Sequence, residues 1–194
     1  MSLQRRLPPF RADHVGSLLR PPDLLAARER FRQGMLSRES LTELENQAIR
    51  DVVKMQEDIG LQSATDGEFR RNLWHMDFLK QFTNVSATRS SVKVKFHTEE
   101  GDIEREPSAL RVDGRLSRPR PIFIDHFKFL KSATTLMPKI TIPSPSVLHF
   151  RGGRGALDEH AYPDISEFYL DLARCYSEEI SDLAAAGCRY LQLD

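Results

Sequence analysis

Twice in this chain an amphipathic helical run closes on a glycine and passes at once into a short strand. In SRESLTELENQAIRDVVKMQEDIG, Ser40 and Glu43 have the spacing of a capping box, Leu41, Leu44, Ala48, Val52, Met55 and Ile59 recur every three or four residues, and Gly60 ends the run. The second run reads from Asp164 to about Ala186, with Asp164 and Glu167 at its start and Gly187 at its end. Its apolar stripe is Ile165, Phe168, Leu172, Tyr176, Ile180 and Leu183. LQSATDGE follows the first run and CRYLQLD the second. A helix that feeds straight into a strand is the crossover unit of a parallel sheet, which restricts the chain to α/β architectures.

Two further strands are expected: ADHVGS near the N-terminus, and PKITIPSPSVLHF, where Ile140 and Ile142 flank Thr141 before prolines interrupt the run. Between them, residues 88–126 alternate differently. SVKVKFHTEE and IFIDHF read as strands around an Asp113-Gly114 turn, a β-hairpin insertion or small sheet. The rhythm is therefore strand, helix, strand, insertion, strand, helix, strand. RGGRG, Arg151 to Gly155, lacks the flanking strand and helix of a dinucleotide or P-loop site, so it reads as a loop, with an anion-contacting lid as its functional alternative.

With 194 residues and 40% apolar content the chain has enough material for a real core, as one domain or part of a larger one. Lys plus Arg and Asp plus Glu both total 28, so no charge excess calls for nucleic acid or an anionic membrane. MSLQRRLPPF has no apolar signal region and no run is long enough for a membrane span, which gives a cytoplasmic expectation. Met1-Ser2-Leu3 reads as an expression remnant and is left out of the fold. Cys175 and Cys188 have neither metal-ligand spacing nor a disulfide-rich context and are expected as buried small hydrophobes.

All four expected strands finish in polar or turn-forming residues: His14-Val15-Gly16-Ser17, Asp66-Gly67-Glu68, Pro143-Ser144-Pro145-Ser146 and Asp194. In parallel α/β folds such ends face a common mouth where ligands bind. Gly16 lets backbone approach a ligand, Ser17 donates and accepts hydrogen bonds, and Glu68 with Asp194 can hold an ammonium group from two sides. A plainer reading stands beside this one. Asp66-Gly67 is then only a turn, Arg70 and Arg71 are solvated charges, Trp74 and Phe78 are packing contacts, His14 and His75 are ordinary hydrogen-bonded histidines, and Asp194 is a bare chain end.

FRADHVGSLLRP, the helix ending in QEDIGL, TDGEFRRNLWHMDF and CRYLQLD, in that order, resemble the cobalamin-independent methionine synthase family. More closely, they resemble its shorter bacterial relatives that keep only the catalytic barrel. The resemblance runs from about Phe10 to Asp194 and is least informative in the insertion. It implies the first half of a TIM-type (β/α)8 barrel, UROD/methionine-synthase-like, with residues 4–194 as a partial catalytic domain and the rest of the barrel outside this chain. It also implies a 5-methyltetrahydropteroyltriglutamate-homocysteine S-methyltransferase-like activity, in which a zinc-bound homocysteine thiolate takes a methyl group from a methylated folate to give methionine. By this resemblance Val15, Gly16 and Ser17 touch the amino-acid moiety of homocysteine, Glu68 binds its amino group and Asp194 binds the same moiety. Arg70, Arg71, Trp74 and Asp77 are assigned to shaping the adjoining helix start and orienting Glu68, with Asp66 as a further donor-binding or supporting residue. Phe150 falls where the folate-dependent enzymes carry a tryptophan against the pterin, a departure that changes ring size and removes the indole donor.

Zinc makes a thiol nucleophilic at neutral pH by stabilising its deprotonated sulfur. The family's ligands begin with a His-x-Cys motif that this sequence does not contain, so the resemblance places them downstream of Asp194, with no metal ligand in this chain and no methyl transfer by the chain alone. The expected partners are homocysteine and methylated folate, without nucleic acid or membrane, and with self-association or a complementing half-barrel to cover open edges. Two alternatives accompany this: zinc-dependent alkyl transfer to another small thiol of the coenzyme M type, and a non-catalytic half-barrel acting as a binding or assembly subunit.

Overall fold

The computed structural model describes residues 8, 10, 12–89, 94–98, 101–105, 108–150 and 152–194, so the Met1–Leu3 expectation and Arg151 lie outside the described residues. The chain divides into two compact units. One holds the chain up to Trp74 with Phe123–Ile142 and Ser181–Asp194, and the other holds His75–Ile122 and Pro143–Ile180.

In the first unit, helix α1 (Pro22–Arg32) opens on a proline at its first position, with Asp23 in the first turn and Arg30 and Arg32 in the last, each complementing the helix dipole. No element is expected here from the sequence alone; proline at the first helical position is tolerated because it removes only an N–H that has no helical partner anyway. Helix α2 (Arg38–Asp58) starts at Ser37, whose hydroxyl accepts the Ser40 N–H at 3.1 Å. The expected Ser40-Glu43 box is therefore corrected: Ser40 already lies inside the helix. At the other end, Gly60 at φ 83° lets the Gly60 N–H reach Glu57 O and the Leu61 N–H reach Gln56 O, a Schellman closure.

The buried face of α2 is Leu41, Glu45, Ile49, Val53 and Gln56, while Leu44, Met55 and Ile59 are exposed, a rotation of the expected stripe. Polar residues belong to this face because each has a buried partner. Glu45 pairs with Arg28 at 2.9 Å, and Gln56 bonds both the N–H and C=O of Thr65 at 3.0 and 2.9 Å. Leu24 and Ala27 of α1 join Leu41, Ile49, Val53, Ala64, Phe69 and Leu130 in one core cluster.

Strands β1 (Ser63–Ala64), β6 (Met137–Ile142) and β7 (Tyr190–Leu193) form a parallel sheet in the order β1-β6-β7. ADHVGS is not a strand; its one pairing is an isolated bridge between Ser17 and Gly67. Its carbonyls are taken instead by side chains of the sheet: Thr65 Oγ1 donates to Gly16 O at 2.8 Å, Lys139 Nζ to His14 O, and Thr141 Oγ1 to Val15 O. IFIDHF is corrected too. Phe123 caps helix α4 (Ile124–Ala133), whose Phe127 and Leu130 are buried; a local alternation of period two had masked the spacing of three to four between Phe123, Phe127 and Leu130.

In the second unit, a short helix α3 (Met76–Leu79) precedes β2 (Val85–Arg89), β3 (Val94–Thr98), β4 (Gly101–Arg105) and β5 (Ser108–Val112). β2 pairs with β5 and β3 with β4, both antiparallel, so the described residues of the insertion form two strand pairs. Gly153–Ala156, overlapping the end of RGGRG, is a 3₁₀ turn tied down by Arg154, which donates to the carbonyls of Tyr162 and Pro163. Helix α5 (Ile165–Ala185), whose residues from Ser181 on belong to the first unit, starts where Asp164 Oδ1 accepts the Ser166 N–H at 2.9 Å. It ends at Gly187, φ 95°, with a second Schellman pair, Gly187 N–H to Ala184 O and Cys188 N–H to Leu183 O. Phe168, Leu172, Tyr176 and Leu183 are buried as expected, but Ile180 is exposed, and its place on the buried side goes to Glu179, which accepts from Arg118 Nε and the Ile122 N–H at 2.7 and 2.9 Å. No helix among the described residues is long and apolar enough to cross a membrane.

Candidate functional site

Glu68 lies just past the C-terminal end of β1 with its backbone at φ 59°, in a region that a non-glycine residue enters at a cost of roughly 1–2 kcal/mol. The surrounding turn holds it there. Asp66 Oδ1 accepts the Glu68 N–H at 2.9 Å, the Glu68 carbonyl accepts the Arg71 N–H at 2.9 Å and Arg20 Nη2 at 2.9 Å, and Arg20 also reaches Arg71 O at 2.8 Å. Arg28 is a second cationic side chain donating to this turn, with Nη1 to Arg71 O at 3.1 Å and Nη2 to Phe69 O. Gly67, at φ 65°, has no room for a side chain: a Cβ there would stand 2.7 Å from the Phe69 ring.

The Glu68 carboxylate is buried with the Arg71 guanidinium, Nη1 standing 3.4 Å from Oε1, a separation that gives attraction without an aligned hydrogen bond. Arg71 is anchored by Nη2 donating to Thr141 O at 2.7 Å and by the Phe123 ring, whose centroid is 4.3 Å from the guanidinium carbon. Burial pushes the Glu68 carboxyl above its ordinary value; Arg71 and Arg20 oppose this, and the carboxylates of Asp66 and Asp194 add to it. Asp194 therefore acts electrostatically on Glu68, and its backbone N–H is held by Ile142 O at 3.0 Å at the end of β7. Gly16, at φ 143°, faces the same place. A Cβ on it would come 3.0 Å from Thr141 Oγ1 and 3.7 Å from Glu68 Oε1.

The geometry therefore gathers Gly16, Asp66, Glu68, Arg71 and Asp194 at one end of the three-stranded sheet. Val15 and Ser17 flank Gly16 and are exposed. Arg70 turns away, with Nη2 on Asn46 Oδ1 at 2.5 Å and its guanidinium over Phe129 at 4.5 Å, and Trp74 stands at the surface. Phe150, in the second unit, is 58% exposed, its N–H on Ser146 O at 2.9 Å. The sequence reading missed Arg20, Thr65, Phe123 and Thr141. The available signal for Thr141 was the alternation in β6, where Ile140 and Ile142 point one way and Lys139 and Thr141 the other. His126 stacks on Phe123 with centroids 5.1 Å apart; burial, opposed by Asp66 and assisted by Arg70 and Arg71, lowers it to about 4, so it adds no charge at neutral pH.

The raised Glu68 value has a consequence for stability. The folded chain keeps this proton to higher pH than the unfolded chain, so between the two titrations stability falls as pH rises. Glu68→Gln has no such proton to lose. In urea unfolding curves the variant gains on the wild type as pH rises above about 4, the ordinary glutamate range; parallel pH profiles for the two proteins contradict the assignment.

Among the described residues no group of three or more His, Cys, Asp or Glu side chains gathers to hold a metal ion. Burial pushes the Cys175 thiol up to about 11 and also raises Cys188, whose Sγ donates to Tyr190 O at 3.5 Å. Neither cysteine belongs to such a group, so the described residues do not assemble a zinc ligand set.

The sequence model of the family described as cobalamin-independent synthase, catalytic domain, matches residues 10–194. The uncharacterised proteins YxjH and YxjG of Bacillus subtilis (strain 168) are 40% and 38% identical over 192 and 195 residues, covering 98% and 100% of this chain and 49% and 50% of theirs. A 5-methyltetrahydropteroyltriglutamate--homocysteine methyltransferase of Thermotoga maritima is 24% identical over 189 residues, 97% of this chain and 24% of that protein. The chain thus spans about half the length of the two Bacillus relatives and about a quarter of the Thermotoga one. Among solved structures, one provisionally described as a vitamin-B12-independent methionine synthase from Listeria monocytogenes superposes with a TM-score of 0.78 at 37% identity, over 97% of this chain and 52% of that one. A B12-independent methionine synthase from Shewanella sp. W3-18-1, solved with selenomethionine, gives 0.61 at 26% identity over 82% and 44%. With its α/β sheet and a family match running from Phe10 to its last residue, this chain belongs to the cobalamin-independent synthase catalytic-domain family.

Proposed function

We propose that this chain carries the amino-acid-binding part of a thiol methyltransferase that makes methionine from homocysteine, built on the first half of a TIM-type barrel that includes residues 4–194 and an insertion near 88–126. The observation that carries the reading is the buried Glu68 carboxylate, held in a costly backbone conformation beside Gly16 and under the influence of Asp194. A carboxylate kept desolvated next to a second acid, with Arg71 near it but not aligned to donate, is well satisfied by the hydrogen bonds of an ammonium group. Gly16 leaves backbone room for the ligand, Val15 and Ser17 flank it, and Asp194 supplies the second negative charge. The Shewanella relative was solved with selenomethionine, an amino acid of the matching kind.

Binding and orientation of the amino-acid end are the roles assigned to these residues; activation of the thiol is not assigned to any of them, because they do not make a zinc ligand set. A methylated folate is the proposed methyl donor, with the exposed Phe150 ring as the surface offered to it. Calorimetric titration tests the amino-acid clamp. Glu68→Gln and Asp194→Asn each weaken L-homocysteine binding by about 1.5–3 kcal/mol, the range for a hydrogen bond to a charged group. The thiol acid lacking the amino group binds weakly to the wild type and is indifferent to Glu68→Gln. Unaltered homocysteine affinity in both variants removes the two acids from the site.

A further inference from the structure

A cavity of about 290 Å³ lies between α1, α2 and the segment after Glu68, and four arginines line it: Arg28, Arg32, Arg38 and Arg70. Against them stands one acid, Glu45, already engaged by Arg28 at 2.9 Å. Its apolar wall is Phe31 and Leu41, and Asn72 contributes an amide.

Two of the cations are fixed before any ligand arrives. Arg28 is 9% exposed and is held by Phe69 O, Arg71 O and the Asn72 side chain; Arg70 is held by Asn46 and the Phe129 ring. The other two stand at the rim. Arg38 lies over the Phe31 ring at 4.1 Å, and Arg32 is 69% exposed in an ion pair with Glu29 of the kind that contributes little in water. Four guanidinium groups around a partly enclosed space repel one another and concentrate positive potential there, and Glu45 inside with Glu29 at the rim leaves the cations in excess. Burial lowers the Arg70 value, the direction expected where a cation lacks full compensation. A guanidinium fork matches carboxylate and phosphate oxygens two at a time. The volume sits at the small end of ligand sites.

We propose that this cavity is a binding site for a small, multiply charged oxyanion bearing phosphate or carboxylate groups, held by Arg70 from within, where its Nη1 has no hydrogen-bond partner, and by Arg32 and Arg38 at the rim, with the already bonded Arg28 contributing positive charge. Arg28 and Asn72 also touch the turn that carries Glu68, so the occupied site adjoins the backbone of the amino-acid clamp without sharing its ligand.

The test uses the full chain with two probes, inorganic pyrophosphate and citrate, titrated calorimetrically at ionic strength matched with sodium chloride. Saturable one-to-one binding of at least one probe is expected, weakened about tenfold or more in the double variant Arg32→Gln/Arg38→Gln. Both substituted side chains lie at the rim, and the single variant Arg32→Gln gives the same readout with less change. Preference for pyrophosphate assigns the site to a phosphoryl ligand, and preference for citrate assigns it to a polycarboxylate. Heats no larger than those of sodium chloride, or equal affinity in wild type and both variants, overturn the proposal. Homocysteine binding is measured in the same samples, so failure of the anion site is distinguishable from failure of the clamp.

Discussion

Arg71→Met lowers the stability of the folded chain by about 3–5 kcal/mol at neutral pH, and adding Glu68→Gln recovers a large part of that loss. Arg71 is 2% exposed, its guanidinium shares an enclosed space with the Glu68 carboxylate, and it donates to Thr141 O. Methionine fills much of the same volume and removes the charge. What remains is a buried carboxylate with Asp66 and Asp194 nearby and Arg20 as its remaining cationic neighbour. The pH dependence identifies the cause. Without Arg71 the folded-state value of Glu68 climbs further, so the deficit of the single variant grows as pH rises, while the double variant, which has no carboxylate to ionise, shows a flatter profile. Chemical unfolding of the four proteins of this cycle at about pH 5 and about pH 8 measures both effects. A double variant no more stable than Arg71→Met shows that the arginine works through packing and its bond to Thr141, and not through Glu68.

Gly16→Ala costs about 2–3 kcal/mol and greatly weakens amino-acid binding. At φ 143° the backbone occupies a region that L side chains rarely adopt, and the new Cβ meets Thr141 Oγ1 at 3.0 Å. The threonine has little freedom to retreat, because its hydroxyl donates to Val15 O and helps hold the segment in place. Two causes are therefore superposed, and they separate experimentally. Thr141→Ala in the Gly16→Ala background removes the contact and leaves the backbone conformation unchanged. If the double variant is as unstable as Gly16→Ala alone, backbone strain is the dominant cause; recovery points to the contact with the hydroxyl. Wild-type stability together with wild-type homocysteine affinity in Gly16→Ala excludes a close backbone approach at this position.

The local parts of the fold were legible in the sequence to the extent that their causes are local. Gly60 and Gly187 both end helices with positive φ, as a glycine after an amphipathic run suggests, and the strands beginning in LQSATDGE and CRYLQLD follow directly. Errors arose where a local pattern had more than one structural solution. The alternation in IFIDHF reads as a strand and equally fits the first turn of α4 once Phe127 and Leu130 have a core to enter. The rotation of α2 came from Glu45 and Gln56, polar residues that no hydrophobic pattern would place inside.

The candidate site divides along the same line. From sequence alone came the residue types at the ends of the strands, the glycines that permit the turns, and the family motifs that single out Gly16, Glu68 and Asp194; these are properties of short stretches and of their order. Tertiary structure alone decided that ADHVGS is held by the side chains of Thr65, Lys139 and Thr141 and not by a strand ladder, that Arg71 and not Arg70 faces Glu68, and that burial raises the Glu68 carboxyl. Each of those depends on groups up to 126 residues apart in the chain and on the water excluded between them. Desolvation and ion pairing act through space, and no spacing of letters along a sequence encodes which charge is left facing which once the core has closed.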